Sequence, residues 1–221
     1  MSKKLGWSLC LLALALCSSS LPATAGTLFS NLGPAGNEYQ CCTGWTVSGT
    51  GTLGFSQSIA EEFQVSASGN VGQIDAGIGY VEGLNAFNIL LVQGNDPTGT
   101  VLGQWDNLAS PQTFGGCCGL ITITGISGIS LSTGTNYWLI AEPTSLDSTL
   151  WGAWNFSNSG IGQLDFSTDL GQTWNNGGVT NQGAFDILSG GGGTTPEPNS
   201  LLLLGTGVVG AFGVIRRKLK R

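Results

Sequence analysis

Six cysteines occur: Cys10 and Cys17 fall in the N-terminal stretch expected to be cleaved, and the four that remain, the side chains best equipped for chemistry, form two adjacent pairs, Cys41–Cys42 and Cys117–Cys118. In a chain that opens on Lys3-Lys4, an apolar run and Ala23-Thr24-Ala25, the layout of an export signal, an even count implies disulfides, with three connectivities open. Bonding a pair to itself demands a strained ring between neighbouring residues. Cross-pairing is therefore expected, with Cys41 and Cys42 each bonded to Cys117 or Cys118. Each bridge would close a loop of about seventy-five residues, worth roughly 3–4.5 kcal/mol in the chain-entropy model. A four-thiolate zinc site is the rival. Adjacent cysteines chelate awkwardly and the compartment is oxidising, so no metal and no cofactor is expected.

Carboxylates come next. All thirteen acidic residues lie between Glu38 and Glu197. A carboxylate pair is what a glycosidase needs, and the candidates are Glu61 with Glu62, or Asp165 with Asp169. Neighbours on a strand point to opposite faces, which makes Glu61 and Glu62 poor partners. Most of the acids read as solubility charges. Tryptophan supplies a third chemistry: Trp151, Trp154 and Trp174 would form a sugar-stacking platform if they shared a face. Core packing is the competing use of the same rings. Acidic loops are oxygen ligands for Ca²⁺, but no dense Asp-x-Asp loop occurs.

Absent residue types exclude more than the present ones establish. The chain has no histidine, so it has no Ser-His-Asp triad and no His-ligated zinc. No lysine or arginine falls between Leu5 and Ile215. That removes Schiff-base lysines, phosphate clamps and the electrostatic footprint of a nucleic-acid binder. "GISGIS" (Gly125–Ser130) has neither the spacing nor the following helix of a nucleotide-binding glycine loop. The body is expected not to be an enzyme; a carboxylate-dependent glycosidase is the weakest of the readings kept open.

The elements that position these residues follow from charge and hydropathy. Lys3 and Lys4 precede an apolar run from Leu5 to Cys17, and Ala23-Thr24-Ala25 sets small residues where a signal peptidase reads. Residues 1–25 are thus a signal peptide, to be removed from the fold. Leu16 before Cys17 is too large for a lipoprotein site. At the other end, Asn199 to Ile215 carries no charge, and Arg216, Arg217, Lys218, Lys220 and Arg221 follow it. A helix over about residues 200–215 is short for a bilayer, since fifteen residues span about 22 Å against a core of roughly 30 Å. Flanking residues and snorkelling arginines extend its reach. The basic cluster 216–221 holds its own end in the cytoplasm as a stop-transfer signal and leaves the acidic body outside.

Between these ends, residues 26–189 form one domain by length. Glycine is dense, and short apolar stretches such as "FNILLVQG", "YWLIAEP", "WGAWNFS" and "AFDILSG" are cut by Gly, Pro, Asn or Asp. "GLITITGISGISL" alternates Ile with Thr or Ser. The pattern predicts an all-β, jelly-roll-like β-sandwich of about nine to eleven strands. Residues 190–195 form a Gly-rich linker ahead of the tail at 196–221.

The tail resembles a known family signal. Pro196-Glu197-Pro198, a short apolar helix and an Arg-rich end, joined to a signal peptide, are similar to the PEP-CTERM sorting signal. The resemblance implies recognition by exosortase, a membrane protein proposed to act as a transpeptidase. It further implies transient inner-membrane anchoring, removal of the tail and arrival at the cell surface or outside the cell. A setting of exopolysaccharide or biofilm matrix follows from the same resemblance. Two prolines hold the triplet extended, which suits a processing site. The expected partners are signal peptidase, exosortase, the membrane before processing and exopolysaccharide, with no nucleic acid. Without the resemblance, the tail reads as a single-pass anchor.

Two resemblances concern the body. "SIAEEFQVS" (Ser58–Ser66), "LSTGTNYWLIAEP" (Leu131–Pro143) and "DFSTDLGQTW" (Asp165–Trp174) are similar to stretches of the choice-of-anchor β-sandwich modules, which implies architecture and anchoring but no reaction. Ser167, Asp169, Gly171 and Trp174 fit the Asp-box pattern of sialidases and other β-propellers. One copy does not make a propeller. The resemblance implies a hairpin lock: Asp169 accepts from backbone N–H groups of its own turn, Gly171 supplies a positive φ, and Trp174 covers the hairpin. A glycan-binding module held at the membrane is the alternative function for the whole.

Overall fold

The computed structural model describes residues 26–190. The expected signal peptide, the linker beyond Gly190, the Pro-Glu-Pro triplet, the membrane helix and the basic cluster lie outside the described residues. Within them the chain forms thirteen strands and a single helical turn. In chain order these are β1 (Thr27–Ser30), β2 (Gly44–Ser48), α1 (Thr50–Leu53), β3 (Ser58–Phe63), β4 (Gly69–Ala76), β5 (Ile78–Glu82) and β6 (Phe87–Gln93). They continue with β7 (Thr100–Leu108), β8 (Ile121–Thr124), β9 (Ser130–Leu131), β10 (Tyr137–Pro143), β11 (Trp151–Ser167), β12 (Asn175–Gly183) and β13 (Phe185–Ser189). The all-β expectation holds.

The strands make two antiparallel sheets. One runs β1-β13-β4-β8, with β9 pairing β4; the other runs β12-β11-β3-β10-β6-β7, with β2 and β5 pairing β11. Side-chain alternation tells which face is buried. In β13, Phe185 and Ile187 enter the core; in β8, Ile121 and Ile123 are buried while Thr122 and Thr124 are exposed. From the larger sheet, Ile59 and Phe63 of β3, Leu139 of β10 and Trp154 of β11 meet them in one continuous core. Rings tie the sheets together: Phe29 of β1 stacks on Phe185 at 4.7 Å and lies 5.1 Å from Phe63 across the core.

β10 is buried on both faces. Its odd-numbered residues Tyr137, Leu139 and Ala141 join the main core. Trp138 and Ile140 point the other way and form a second apolar cluster with Ala60 and Val92. This explains why "YWLIAEP" reads as a continuous apolar run: a central strand covered on both sides needs no polar face. "GLITITGISGISL" behaves differently from its alternating pattern. Gly125 (φ 72) and Gly128 (φ 77) break it into β8 and the two-residue β9.

The first and last strands pair with each other. Gly26 N–H donates to Ser189 Oγ at 2.7 Å, and Ser189 N–H donates to the Gly26 carbonyl at 2.7 Å. The point where the signal peptide would be cut and the point where the linker begins therefore lie side by side on one sheet edge.

Candidate functional site

The Asp-box sequence forms the turn between β11 and β12. Asp169 accepts from Ser167 Oγ (2.7 Å), from Thr173 N–H (2.8 Å) and from Thr173 Oγ1 (2.6 Å). Ser167 Oγ in turn accepts from the N–H groups of Asp169 and Gly171 at 3.2 and 2.8 Å. These donors, the Thr173 hydroxyl foremost, hold the Asp169 carboxyl down to about 2, because each favours the charged form. Gly171 has the positive φ its position needs (72°), and Leu170 before it also lies in the left-handed region at 55°. Trp174 leaves this turn and packs on the second apolar cluster of the larger sheet. The turn is thus a lock that pins one tryptophan to the sheet's outer face.

Beside that tryptophan lies a groove of about 330 Å³, bordered by Leu90, Val92, Ile140, Glu142, Gln172 and Trp174 among others. Burial pushes the Glu142 carboxyl up; hydrogen bonding to Asn88 opposes this, and the charge on Asp106 adds to it. An aromatic ring, a carboxyl and an amide around one apolar floor can stack on a ring-shaped ligand and hydrogen-bond its hydroxyls. A wider depression of about 510 Å³ between Gln93–Asn95 and Gly134–Asn136 has only amides, threonines and glycines on its walls. It offers no stacking surface.

The three tryptophans singled out from sequence do not share a face. Trp154 is fully buried between the sheets, donates Nε1–H to the Ala184 carbonyl at 3.0 Å and packs edge-on to Phe185. Trp151, three residues before it, projects to the opposite side of β11 and is half-buried. Only Trp174 borders the groove. Glu142 and Gln172 were not legible as groove residues. Glu142 ends an apolar run, and nothing in the run's spacing marks its last polar position as part of a groove.

The carboxylate candidates separate as strand geometry requires. Glu61 faces inward, is fully buried, and accepts from Gly183 N–H at 2.8 Å. Burial pushes its carboxyl well above the usual range. Glu62 sits on the outer face, where burial and the nearby Asp165 push it up. Asp165, opposite Ala60 on that same face, is raised by burial, whereas Asp169 belongs to the turn. The structure thus sets Asp165 beside Glu62, not beside Asp169. A further pair had no sequence signal: Asp186 of β13 stands directly across from Asp75 of β4. Burial and the Asp75 carboxylate push Asp186 up to about 7.

The cysteines meet where the β1–β2 loop touches the β7–β8 loop. Cys41 and Cys117 are bridged, with Cα atoms 5.5 Å apart, inside the span a disulfide requires. Cys42, exposed, and Cys118, half-buried, are not bonded. Two cross-bridges were expected and the structure holds one. Cys41 and Cys42 lie in the turn before β2, and with Cys41 joined to Cys117 the Cys42 side chain is exposed. The sulfurs of Cys41, Cys117 and Cys118 lie within 4.8 Å of one another, and Cys42 is outside that cluster. A four-thiolate site is therefore not assembled.

Comparison with known families adds the tail. Residues 194–218 match the family model described as the PEP-CTERM protein-sorting motif. The matched stretch contains Pro196, Glu197 and Pro198, the apolar run, and Arg216, Arg217 and Lys218. The motif supports processing by exosortase, with export and surface sorting. None of the curated proteins matches the chain.

Proposed function

We propose that this is a non-enzymatic, exported surface or matrix protein, carried outward by its signal peptide and sorted by exosortase through Pro196-Glu197-Pro198. Its cargo is a jelly-roll-like β-sandwich that associates with exopolysaccharide. The observation that carries the sorting is the PEP-CTERM match at residues 194–218. The charge layout supports it: every Lys and Arg lies outside residues 5–215, and every Asp and Glu within them. Positive charge resists translocation and is retained on the cytoplasmic side. A cation-free body is thus suited to export, while residues 216–221 act as the stop until the tail is removed.

The test separates a sorting tail from a plain anchor. Glu197→Gln removes one charge and leaves the apolar run and basic flank untouched. A plain anchor is indifferent to it. In a host with exosortase, Glu197→Gln and Pro196→Ala chains are expected to be exported, to keep residues 216–221 and to accumulate at the inner membrane. The wild type should reach the surface or medium, lighter by about the tail's mass in intact-mass analysis. If the wild type also retains Arg216 to Arg221 and fractionates with the variants, the sorting reading fails and a single-pass anchor replaces it.

The groove beside Trp174 favours a second, compatible reading, a glycan-binding module. A neutral polysaccharide suits it, because a body without cations has nothing to pair with an anionic one. Trp174→Ala should abolish retention on immobilised exopolysaccharide from the producing cell. Equal retention of wild type and variant rules the groove out. Release of reducing sugar by the wild type would instead point to the glycosidase alternative.

A further inference from the structure

The corner that holds the disulfide contains more sulfur than the bridge uses. Cys118 is unbonded and half-buried, yet its Sγ lies within 4.8 Å of both bridged sulfurs. Cys117, one of the bridged pair, is exposed. The two loops are held to each other independently of the bridge. Gly115 N–H donates to the Cys41 carbonyl at 2.8 Å, and the buried Tyr39 donates its hydroxyl to the Gly119 carbonyl at 2.9 Å. Breaking the Cys41–Cys117 bond would therefore not separate the loops, and a third sulfur stays within a side-chain rotation of contact.

We propose that this corner is an intramolecular thiol–disulfide exchange site, in which Cys118 displaces Cys117 from Cys41 and so hands the free thiol from a sheltered position to an exposed one. Cys118 first loses its proton to solvent. Its sulfur lone pair then forms the Cys118–Cys41 bond. The Cys41–Cys117 bond breaks, its electron pair leaves on Cys117, and that thiolate takes a proton from water. One disulfide and one thiol of the trio are present before and after, so no oxidant or reductant is needed. The exposed Cys117 thiol, on losing its proton again to solvent, can next attack a disulfide-bearing molecule as thiolate, forming a mixed disulfide and expelling that molecule's other sulfur as thiolate. The partner class is a protein or small molecule with an accessible disulfide.

The surroundings set the pace. Glu38 and Tyr39 of the β1–β2 loop face Cys118, together with Cys41 and Cys117. Burial and the neighbouring Glu38 carboxyl push the Cys118 thiol up. Lysine, arginine and histidine are all absent from residues 26–190, so no cation draws it down. Only the thiolate attacks, so exchange is slow near neutral pH and quickens by roughly tenfold per pH unit below the thiol's own pKa.

The test uses the mature protein purified from exporting cells, with N-ethylmaleimide as the thiol probe. Peptides are mapped without reduction over several hours at pH 7.5 and 8.5, with fragmentation that resolves residue 117 from residue 118. Cys42 should label first. Label should then accumulate on Cys117, together with a Cys41–Cys118 linked peptide, about tenfold faster at the higher pH. Cys118→Ser should keep the Cys41–Cys117 bridge and abolish Cys117 labelling, whereas Cys42→Ser should leave that labelling intact. Label confined to Cys42 and Cys118 overturns the proposal. So does Cys117 labelling that survives Cys118→Ser or needs Cys42, and so does a protein in which no thiol reacts. None of these outcomes depends on exosortase, so the sorting reading stands or falls separately.

Discussion

Replacing Asp186 by Asn should stabilise the domain at pH 8 and leave it unchanged at pH 4. Asp186 faces Asp75 across the β13–β4 ladder, on the outer side of the smaller sheet. Asp75 is only 6% exposed and accepts from Gln73 Nε2 at 2.6 Å. One oxygen of each carboxyl is buried without a hydrogen-bond partner. Burial, and then the Asp75 charge, push Asp186 from its ordinary 3.8 to about 7. The folded state therefore holds a proton that the unfolded chain releases above about pH 4. Where the folded state binds more protons, stability falls as pH rises. The loss begins near 3.8, grows to about 7 and is complete above that.

About three pH units at ~1.4 kcal/mol each give roughly 4 kcal/mol. Asp186 is only half-buried, so solvent screening reduces this to about 2 kcal/mol. For a domain of this size 1 kcal/mol moves Tm by about 2–4 °C, so the gap to be read is about 4–8 °C. Asn keeps the shape and cannot ionise. Thermal unfolding followed by circular dichroism should show wild type and Asp186→Asn melting together at pH 4, with the variant higher by that gap at pH 8. A gap that is the same at both pH values, or a variant that melts lower at pH 8, refutes the reasoning. Comparing the two chains at each pH cancels the titration of every carboxylate that does not interact with Asp186, and leaves the Asp186–Asp75 pair as what is read.

Gly183→Ala should destabilise the fold by about 1–3 kcal/mol, as overpacking does. Its added Cβ would lie 2.5 Å from the buried Trp154 ring, and chemical denaturation measures the loss. Reducing the Cys41–Cys117 bridge, which spans 76 residues, should cost roughly 4 kcal/mol in the chain-entropy model; unchanged denaturation midpoints with and without reductant would contradict it. Asp169, held at about 2 by its turn, contributes stability that is present above about pH 4 and lost as pH falls through 2. Asp169→Ala should therefore flatten the acid limb of the stability curve between pH 4 and 2, read by melting at both ends of that window.

Legibility followed the range of the interactions. The Asp-box turn was readable in outline, because its hydrogen bonds run among Ser167, Asp169, Gly171 and Thr173, close neighbours in the chain. Unsignalled were the positive φ of Leu170, the Thr173 hydroxyl as a donor to Asp169, and Ser167 Oγ as the acceptor of the Asp169 and Gly171 N–H groups. Strands with apolar runs, β6, β10 and β13, stand where those runs predict. β12, "NNGGVTNQG", was missed. It lies at an end of the larger sheet's strand order and is mostly exposed, so it needs no apolar periodicity and carries none. The tryptophan platform dissolved for a different reason. Once Trp151 and Trp154 are on the single strand β11, their spacing of three puts them on opposite sides, and which side meets the other sheet is decided by distant partners. Cross-pairing of the cysteines followed from strain alone; the choice of Cys41 with Cys117 required the meeting of two loops.

The absence of cations between Leu5 and Ile215 also explains how the body manages its acids. In most folds a half-buried carboxylate finds an arginine or lysine. Here none is available, and two solutions remain: hydrogen bonds from donors nearby in the chain, or retention of the proton. Nine of the thirteen acids divide accordingly. Asp96, Asp147 and Asp169 lie in turns, take hydrogen bonds from nearby residues, and are held below their ordinary range; Glu38 is lowered too, chiefly by the Cys118 thiol of the facing loop and then by Gly36 N–H. Glu61, Glu62, Glu142, Asp165 and Asp186 lie on strands, where most backbone donors are spent on the ladders, although Glu61 accepts one from Gly183 N–H. Burial raises all five. A charge layout that suits export thus makes the sheets most stable in mild acid, and that cost falls on the strand carboxylates, not on the turns.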